Sequence, residues 1–240
     1  LAGGDYVVSS SNWDDPTTGE FNQGAVTWCS GTTGCVGNIT FDNSLLGGTM
    51  NDNLGVVTAL TNGNFVVSAP SYNRGTDADA GLVVFCNGPT GGPNGCQGHF
   101  PIPNYNGLYG SAGDSVGTYV LALVNGNFVV GSPAIGAGRG AVTWCSGTMG
   151  CTGENVTSFN SLVGVTAGDG VGNTLAVGFS GLTLANGDYV VATTQWDNGG
   201  SVDVGAVTLC NGTTNHGAGQ AAAPATPLLG PPRGGFVSAA

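Results

Sequence analysis

Asp52, Asp114 and Asp169 recur at matching places in the sequence, each two residues ahead of a Leu-Gly or Val-Gly pair (Leu54-Gly55, Val116-Gly117, Val171-Gly172). A carboxylate repeated in this way can hold calcium or move protons, but its ordinary work in a turn is to accept hydrogen bonds from its own backbone. Capping is the expectation for these three. The loops carrying Asp14, Asp15 and Glu20, Asp77 and Asp79, and Asp197 and Asp203 are better suited to calcium. Asp14, Asp15, Asp197 and Asp203 are the candidates, with solvated loop acids as the default and no resident cofactor expected. Trp13, Tyr72 and Trp196 share one loop position. Aromatic rings there can form a stacking platform for sugars or pack between neighbouring units, whereas Trp28 and Trp144 read as core. Catalysis has little to work with. His99 and His216 stand alone, neither near a nucleophile motif. The chain has no Lys, so a P-loop lysine and a Schiff base are excluded. Gly136-Ala137-Gly138-Arg139-Gly140 lacks dinucleotide-binding spacing and reads as a turn. The expectation is a protein that is not an enzyme.

Six of the seven cysteines fall into close pairs: Cys29/Cys35, Cys86/Cys96 and Cys145/Cys151. Each pair follows a strand-like run and brackets a turn. Zinc ligands come as two closely spaced pairs, which these spacings do not reproduce. Disulfides are therefore expected, each closing a small loop and contributing about 2 kcal/mol on the chain-entropy account. Cys210 is left over, with His216 where its partner would stand. It is either a free thiol or half of an intersubunit disulfide, and the second is preferred in an exported protein. Persistent disulfides imply an oxidising compartment, and the sequons at Asn38, Asn155 and Asn211 fit the same extracellular location.

Charge narrows the partners. With 14 acidic residues against three Arg, the net charge is −11. No basic face can be built for nucleic acid or for an anionic membrane surface. No apolar run is long enough to span a bilayer.

The elements that must position these residues are repeated hairpins. Gly63-Asn64-Phe65-Val66-Val67, Gly126-Asn127-Phe128-Val129-Val130, Gly187-Asp188-Tyr189-Val190-Val191 and Gly4-Asp5-Tyr6-Val7-Val8 are versions of one segment, and Asn-Gly opens three of them. Apolar, partly β-branched runs around Asn-Gly signal a β-hairpin, because both turn residues can take positive φ. The anchors Leu1, Leu60, Leu123 and Leu184 lie about sixty residues apart. That period, with four strands per unit, predicts an all-β array of propeller-type blades at approximately 1–59, 60–122, 123–183 and 184–240. No segment has a sustained helical period. Leu1 falls inside a repeat, which suggests a piece of a longer precursor. Gly235-Phe236-Val237-Ser238-Ala239 resembles the first hairpin arm Gly55-Val56-Val57-Thr58-Ala59, and Leu1 to Val8 supplies a turn and second arm. The ends can thus close one ring, continue into another copy, or complete the next subunit.

With these motifs in view, the repeats resemble the FG-GAP propeller family of the integrin α-subunit head. Val116-Gly117, Gly131-Ser132-Pro133 and Gly140-Ala141-Val142 follow its Phe-Gly, Gly-Ala-Pro and next-strand signature. They are closer still to uncharacterised bacterial extracellular repeats built on NGNYVV and GAVTW. The resemblance implies a β-propeller. The family's calcium loop does not carry over, since a tight Asn-Gly turn stands in its place and is too short to wrap the ion. The expected function is an extracellular structural or adhesive repeat protein, assembling head to tail into a filament through its complementary ends. The alternative is a carbohydrate-binding propeller using the loops of Trp13, Tyr72 and Trp196. Partners would be copies of itself, or glycans at a cell surface.

Overall fold

The computed structural model describes residues 1, 4–88, 96, 98–99, 107–151, 155–175, 183–214 and 228–229. The founding segments at Gly63 and Gly126 make the expected hairpins, but with a different turn. Leu60 N–H donates to Asn64 O (2.8 Å) and Gly63 N–H to Leu60 O (3.1 Å), and the pattern recurs at Leu123 and Leu184. Only the glycine sits at positive φ: 89° at Gly4, Gly63 and Gly126, 92° at Gly187. This is a three-residue loop with a glycine bulge, not a two-residue turn with both residues left-handed. Asn62 instead uses its side chain, accepting the Asn64 N–H at 3.1 Å, and Asn125 and Asn186 do the same one and two repeats on.

The strands are β1 (Tyr6–Ser10), β2 (Ala25–Cys29), β3 (Ser44–Leu46), β4 (Val56–Ala59), β5 (Phe65–Ala69), β6 (Leu82–Cys86), β7 (Gly98–His99), β8 (Gly107–Tyr109), β9 (Tyr119–Ala122), β10 (Phe128–Ser132), β11 (Ala141–Cys145), β12 (Ser161–Val163), β13 (Tyr189–Thr193), β14 (Ala206–Cys210) and β15 (Leu228–Leu229). They form four sheets, ordered β1-β2-β3-β7, β4-β5-β6-β8, β9-β10-β11-β12 and β13-β14-β15. All pairings are antiparallel except β3 with β7. Helical turns occur at Ile135–Gly138, interrupted by positive φ at Gly136 and Ala137, and in the 3-10 turn Asn173–Leu175. The class is all-β.

Two features bind the units together. β4 and β9 lie at the ends of the first two repeats, yet each pairs with the first strand of the next repeat, β5 and β10. The first two repeats thus each hand a strand forward. The sheets also stack through three apolar layers. Alternation sends Phe65, Val67 and Ala69 toward the first sheet, where they meet Val26, Leu45 and Leu54, while Val66 faces forward. Val66, Val83 and Val116 meet Phe128, Val130 and Ala141 of the third sheet. Val129 and Val142 then meet Tyr189, Val191 and Ala206 of the fourth. The middle sheets are covered on both faces, and this explains why β5 and β10 are buried at every residue. The described residues do not close into a ring. Tyr6 and Val8 remain 44% and 43% exposed on the outer face of the first sheet, and Leu209 is 65% exposed on that of the fourth.

Candidate functional site

The recurrent carboxylates cap their turns, and they do more than that. Asp52, fully buried, accepts the Gly48 and Thr49 N–H groups on Oδ2 (2.8 and 2.7 Å). Its Oδ1 accepts the N–H of Asn73, in the next repeat, at 2.9 Å. Asp169 accepts the Val165 and Thr166 N–H groups (2.8 Å each) and the N–H of Asp197 at 3.1 Å. Asp114 divides its oxygens between Ser111 N–H (2.7 Å) and Gly136 N–H (3.2 Å). One oxygen fixes the local turn and the other fixes the following repeat. These are joints between repeats.

The receiving loops explain the shared aromatic position. Trp13, Tyr72, Ile135 and Trp196 each accept on their carbonyl the N–H of the glycine that opens the next strand, at 3.0–3.1 Å. Tyr72 is 3% exposed and Trp196 5%, each packed in the layer against the preceding sheet. Burial and the neighbouring Asp52 push the Tyr72 hydroxyl up to about 12. A sugar-stacking platform built from Trp13, Tyr72 and Trp196 is therefore corrected: two of the three rings are already covered by protein. Trp13, with no sheet of the described residues in front of it, is half-buried. Trp28 and Trp144 are half-buried too, edging the core layers.

A second joint was not expected from the sequence. The side-chain amides of Asn62 and Asn64 both donate to the carbonyl of Gly147 in the next repeat (2.6 and 2.7 Å). Asn125 and Asn127 do the same to Gly212 (2.8 and 2.9 Å), joined there by Trp144 Nε1–H at 2.9 Å. The backbone must come close to be gripped in this way. A Cβ on Gly147 or Gly212 would lie 1.7 Å from the carbonyl oxygen of Gly126 or Gly187. Both halves of the joint recur in sequence, as Asn-Gly-Asn and as Cys-x-Gly, but nothing local says that they meet. The first joint lacks the donors, since Asp5 occupies the place of Asn64.

The calcium candidates are not brought together as ligands. Asp14 Oδ1 accepts Asn22 N–H (2.8 Å), Asp15 Oδ1 accepts both the N–H and the hydroxyl of Thr17 (2.7 and 2.6 Å), and Asp197 Oδ1 accepts the N–H of Asp203 (2.8 Å). The carboxylates of Asp14, Asp15 and Asp197 each organise their own loop. No group of three or more His, Cys, Asp or Glu among the described residues is placed to hold a metal ion. The sequon residues Asn38, Asn155 and Asn211 are all exposed. His216 lies outside the described residues, as do Gly235 to Ala239.

Cys29–Cys35, Cys86–Cys96 and Cys145–Cys151 are bonded, with Cα atoms 4.9, 5.4 and 4.3 Å apart. Cys210 is free and 1% exposed in the layer between the third and fourth sheets. The intersubunit disulfide is corrected, because no second chain can reach that sulfur. Burial pushes the Cys210 thiol up to about 12, the Tyr189 hydrogen bond opposing and the Asp188 charge adding to the rise. Burial also raises the Tyr189 phenol. Two consequences follow. Burial thus keeps the thiol protonated at pH 8 and covers it with protein, so the native protein should resist a thiol reagent until it is unfolded; prompt labelling, or a disulfide-linked dimer, contradicts the placement. Both groups have folded pKa values above their ordinary 9.0 and 10.0. Their contribution to stability is therefore complete below pH 9 and is lost as pH rises beyond it, when the unfolded chain ionises first. The melting temperature should fall above about pH 9, and Cys210→Val should recover part of that fall.

Residues 1–56, 59–118, 122–173 and 183–220 each match a family described as a repeat of unknown function (DUF5650). No curated protein matches the chain.

Proposed function

The chain belongs to the DUF5650 repeat family, and from that premise we propose that it is an extracellular, non-enzymatic structural or adhesive protein. Its sheets act as blades of a propeller-type array that continues head to tail from one copy to the next. One observation carries the reading. Phe65, Phe128 and Tyr189 are 1%, 0% and 1% exposed because a preceding sheet covers them, while their counterpart Tyr6 is 44% exposed. Val67, Val130 and Val191 are fully buried, and their counterpart Val8 is 43% exposed. Fully burying side chains of this kind stabilises by about 1.5–3 kcal/mol each, so a second copy's outer sheet has a face to cover. Among the described residues the outer edge of β1 is unpaired, which points the same way, since β5 and β10 each receive a strand from the preceding repeat. An unpaired edge is a template for a further strand, and Gly235 to Ala239 has the sequence of such a strand.

The recurrent polar side chains support a structural rather than catalytic role, because they are occupied in fixing turns and joining repeats. Three disulfides favour an oxidising, extracellular setting. No helix among the described residues is long and apolar enough to cross a membrane. Sedimentation velocity over rising protein concentration, with electron microscopy of the same samples, tests the reading. Particles that grow by whole copies are expected, and one monomeric species throughout contradicts it.

A further inference from the structure

The joints inside the chain also specify which atoms meet between copies. At the position of Leu209, the preceding sheets carry Phe85 and Trp144, whose rings edge the layer against the next sheet. The Trp144 ring reaches the turn after the first cysteine of that sheet, where its Nε1–H finds Gly212. The fourth sheet repeats this arrangement with none of the described residues forming a sheet in front of it: Leu209 is 65% exposed, and Val190 and Val207 are half-buried where Val66, Val83, Val129 and Val142 are 0–1% exposed. The first sheet offers the matching recess. Beside Val8 and Thr27, an open hollow of about 140 Å³ is lined by Cys35, Val36 and Ile39, which follow the first cysteine turn. Asn186 completes the set. It stands in the place of Asn62 and Asn125 and keeps one amide hydrogen for a partner, the other going to Asp188 Oδ2 at 2.7 Å, while Asp188 replaces the second donor, Asn64 or Asn127; the acceptor corresponding to Gly147 and Gly212 is the carbonyl of Gly31, exposed in the first repeat.

Resting on the head-to-tail reading above, we infer that the outer face of the fourth sheet in one copy seats on the outer face of the first sheet in another. Leu209 enters the hollow beside Val8, and the Asn186 side-chain amide donates to the carbonyl of Gly31. The occupant is a second copy of this chain because the contact continues the interface that joins its own repeats, with Val190, Val207, Leu209 and Asn186 at the positions of Val129, Val142, Trp144 and Asn125. It is heterologous, so it makes a ring where the rotation closes and a filament where it does not.

Leu209→Glu and Val8→Glu test it, each placing a charge on one half of the contact. Both positions are exposed in a single copy, so each variant should keep the melting temperature and circular dichroism of the parent. Each variant alone should associate at least tenfold more weakly than the intact chain, the cost of burying an unpaired charge. Mixed in equal amounts they should form dimers and stop, because one copy supplies the sound first sheet and the other the sound fourth sheet. Asn186→Ala should weaken association about three- to tenfold, as loss of one hydrogen bond does. If the intact chain assembles and both glutamate variants assemble equally well, this contact is wrong and the head-to-tail reading survives. If the intact chain never assembles, both fall together.

Discussion

Asp52→Ala should be among the most damaging single substitutions in this chain. The side chain is completely buried and accepts five hydrogen bonds, from the N–H groups of Gly48, Thr49 and Asn73, the Thr49 hydroxyl and the Asn73 amide. Truncation leaves three backbone donors without an acceptor, and each unmet donor costs about 1–3 kcal/mol. Water reaching the loop offsets part of this. A net loss of about 3–4 kcal/mol is expected, and for a chain of this size it lowers the melting temperature by roughly 7–14 °C. Asp52→Asn keeps one carbonyl oxygen and should lose about half as much. The substitution should also loosen a segment it does not adjoin in sequence: the Asn73 loop of the next repeat, detectable as faster amide exchange there. A loss below about 1 kcal/mol, or an undisturbed Asn73 loop, would mean that the carboxylate only caps its own turn.

Gly147→Ala should cost about as much by a different route. The added methyl would sit 1.7 Å from the Gly126 carbonyl oxygen and 3.1 Å from Asn62 Nδ2. The nearest atom is backbone, so relief requires two turns to separate. That displaces the Gly147 N–H from Asn127 Oδ1 (3.0 Å) and its carbonyl from the two asparagine amides. Overpacking of this severity costs about 1–3 kcal/mol, and each of the three hydrogen bonds about 1 kcal/mol more. A loss of about 4–6 kcal/mol is expected by chemical denaturation. Gly212→Ala should behave alike in the next joint, and two such distant changes should add. Gly200→Ala is the control: nothing lies within 4 Å of its added methyl and its φ is not positive, so it should change stability by no more than about 0.5 kcal/mol. Equal effects at Gly147 and Gly200 would remove the joint from the account.

What the sequence disclosed was what its physics makes local. The hairpins were legible because a β-branched run, a turn and a second run are contiguous, and the disulfides because each pair closes a loop of six or ten residues. The turn type was not legible, because Asn-Gly suits two loop geometries and only the Asn62 side chain, bonding to Asn64 N–H, selects between them. Tyr72 and Trp196 looked available because they sit in loops, but those loops fold back over the sheet and deliver the rings to the layer against the preceding repeat. Asp52 was half legible: its Oδ2 serves residues three and four positions away, while its Oδ1 serves one 21 positions on. Asn62 and Gly147, separated by 85 residues, left no trace of their pairing in either segment. Cys210 was misleading, because an unpaired cysteine in a disulfide-rich chain suggests a missing partner, whereas its site is simply the buried strand position of Cys29, Cys86 and Cys145.

The central claim is that the outer face of the first sheet is the same kind of interface as those closed inside the chain. Amide hydrogen exchange of Tyr6–Ser10, compared with Phe65–Ala69 and Phe128–Ser132 at low and high protein concentration, tests it directly. The account predicts that β1 exchanges far faster than β5 and β10 in dilute solution and gains protection as concentration rises. Protection of β1 that already equals that of β5 when dilute, or that ignores concentration, would contradict it.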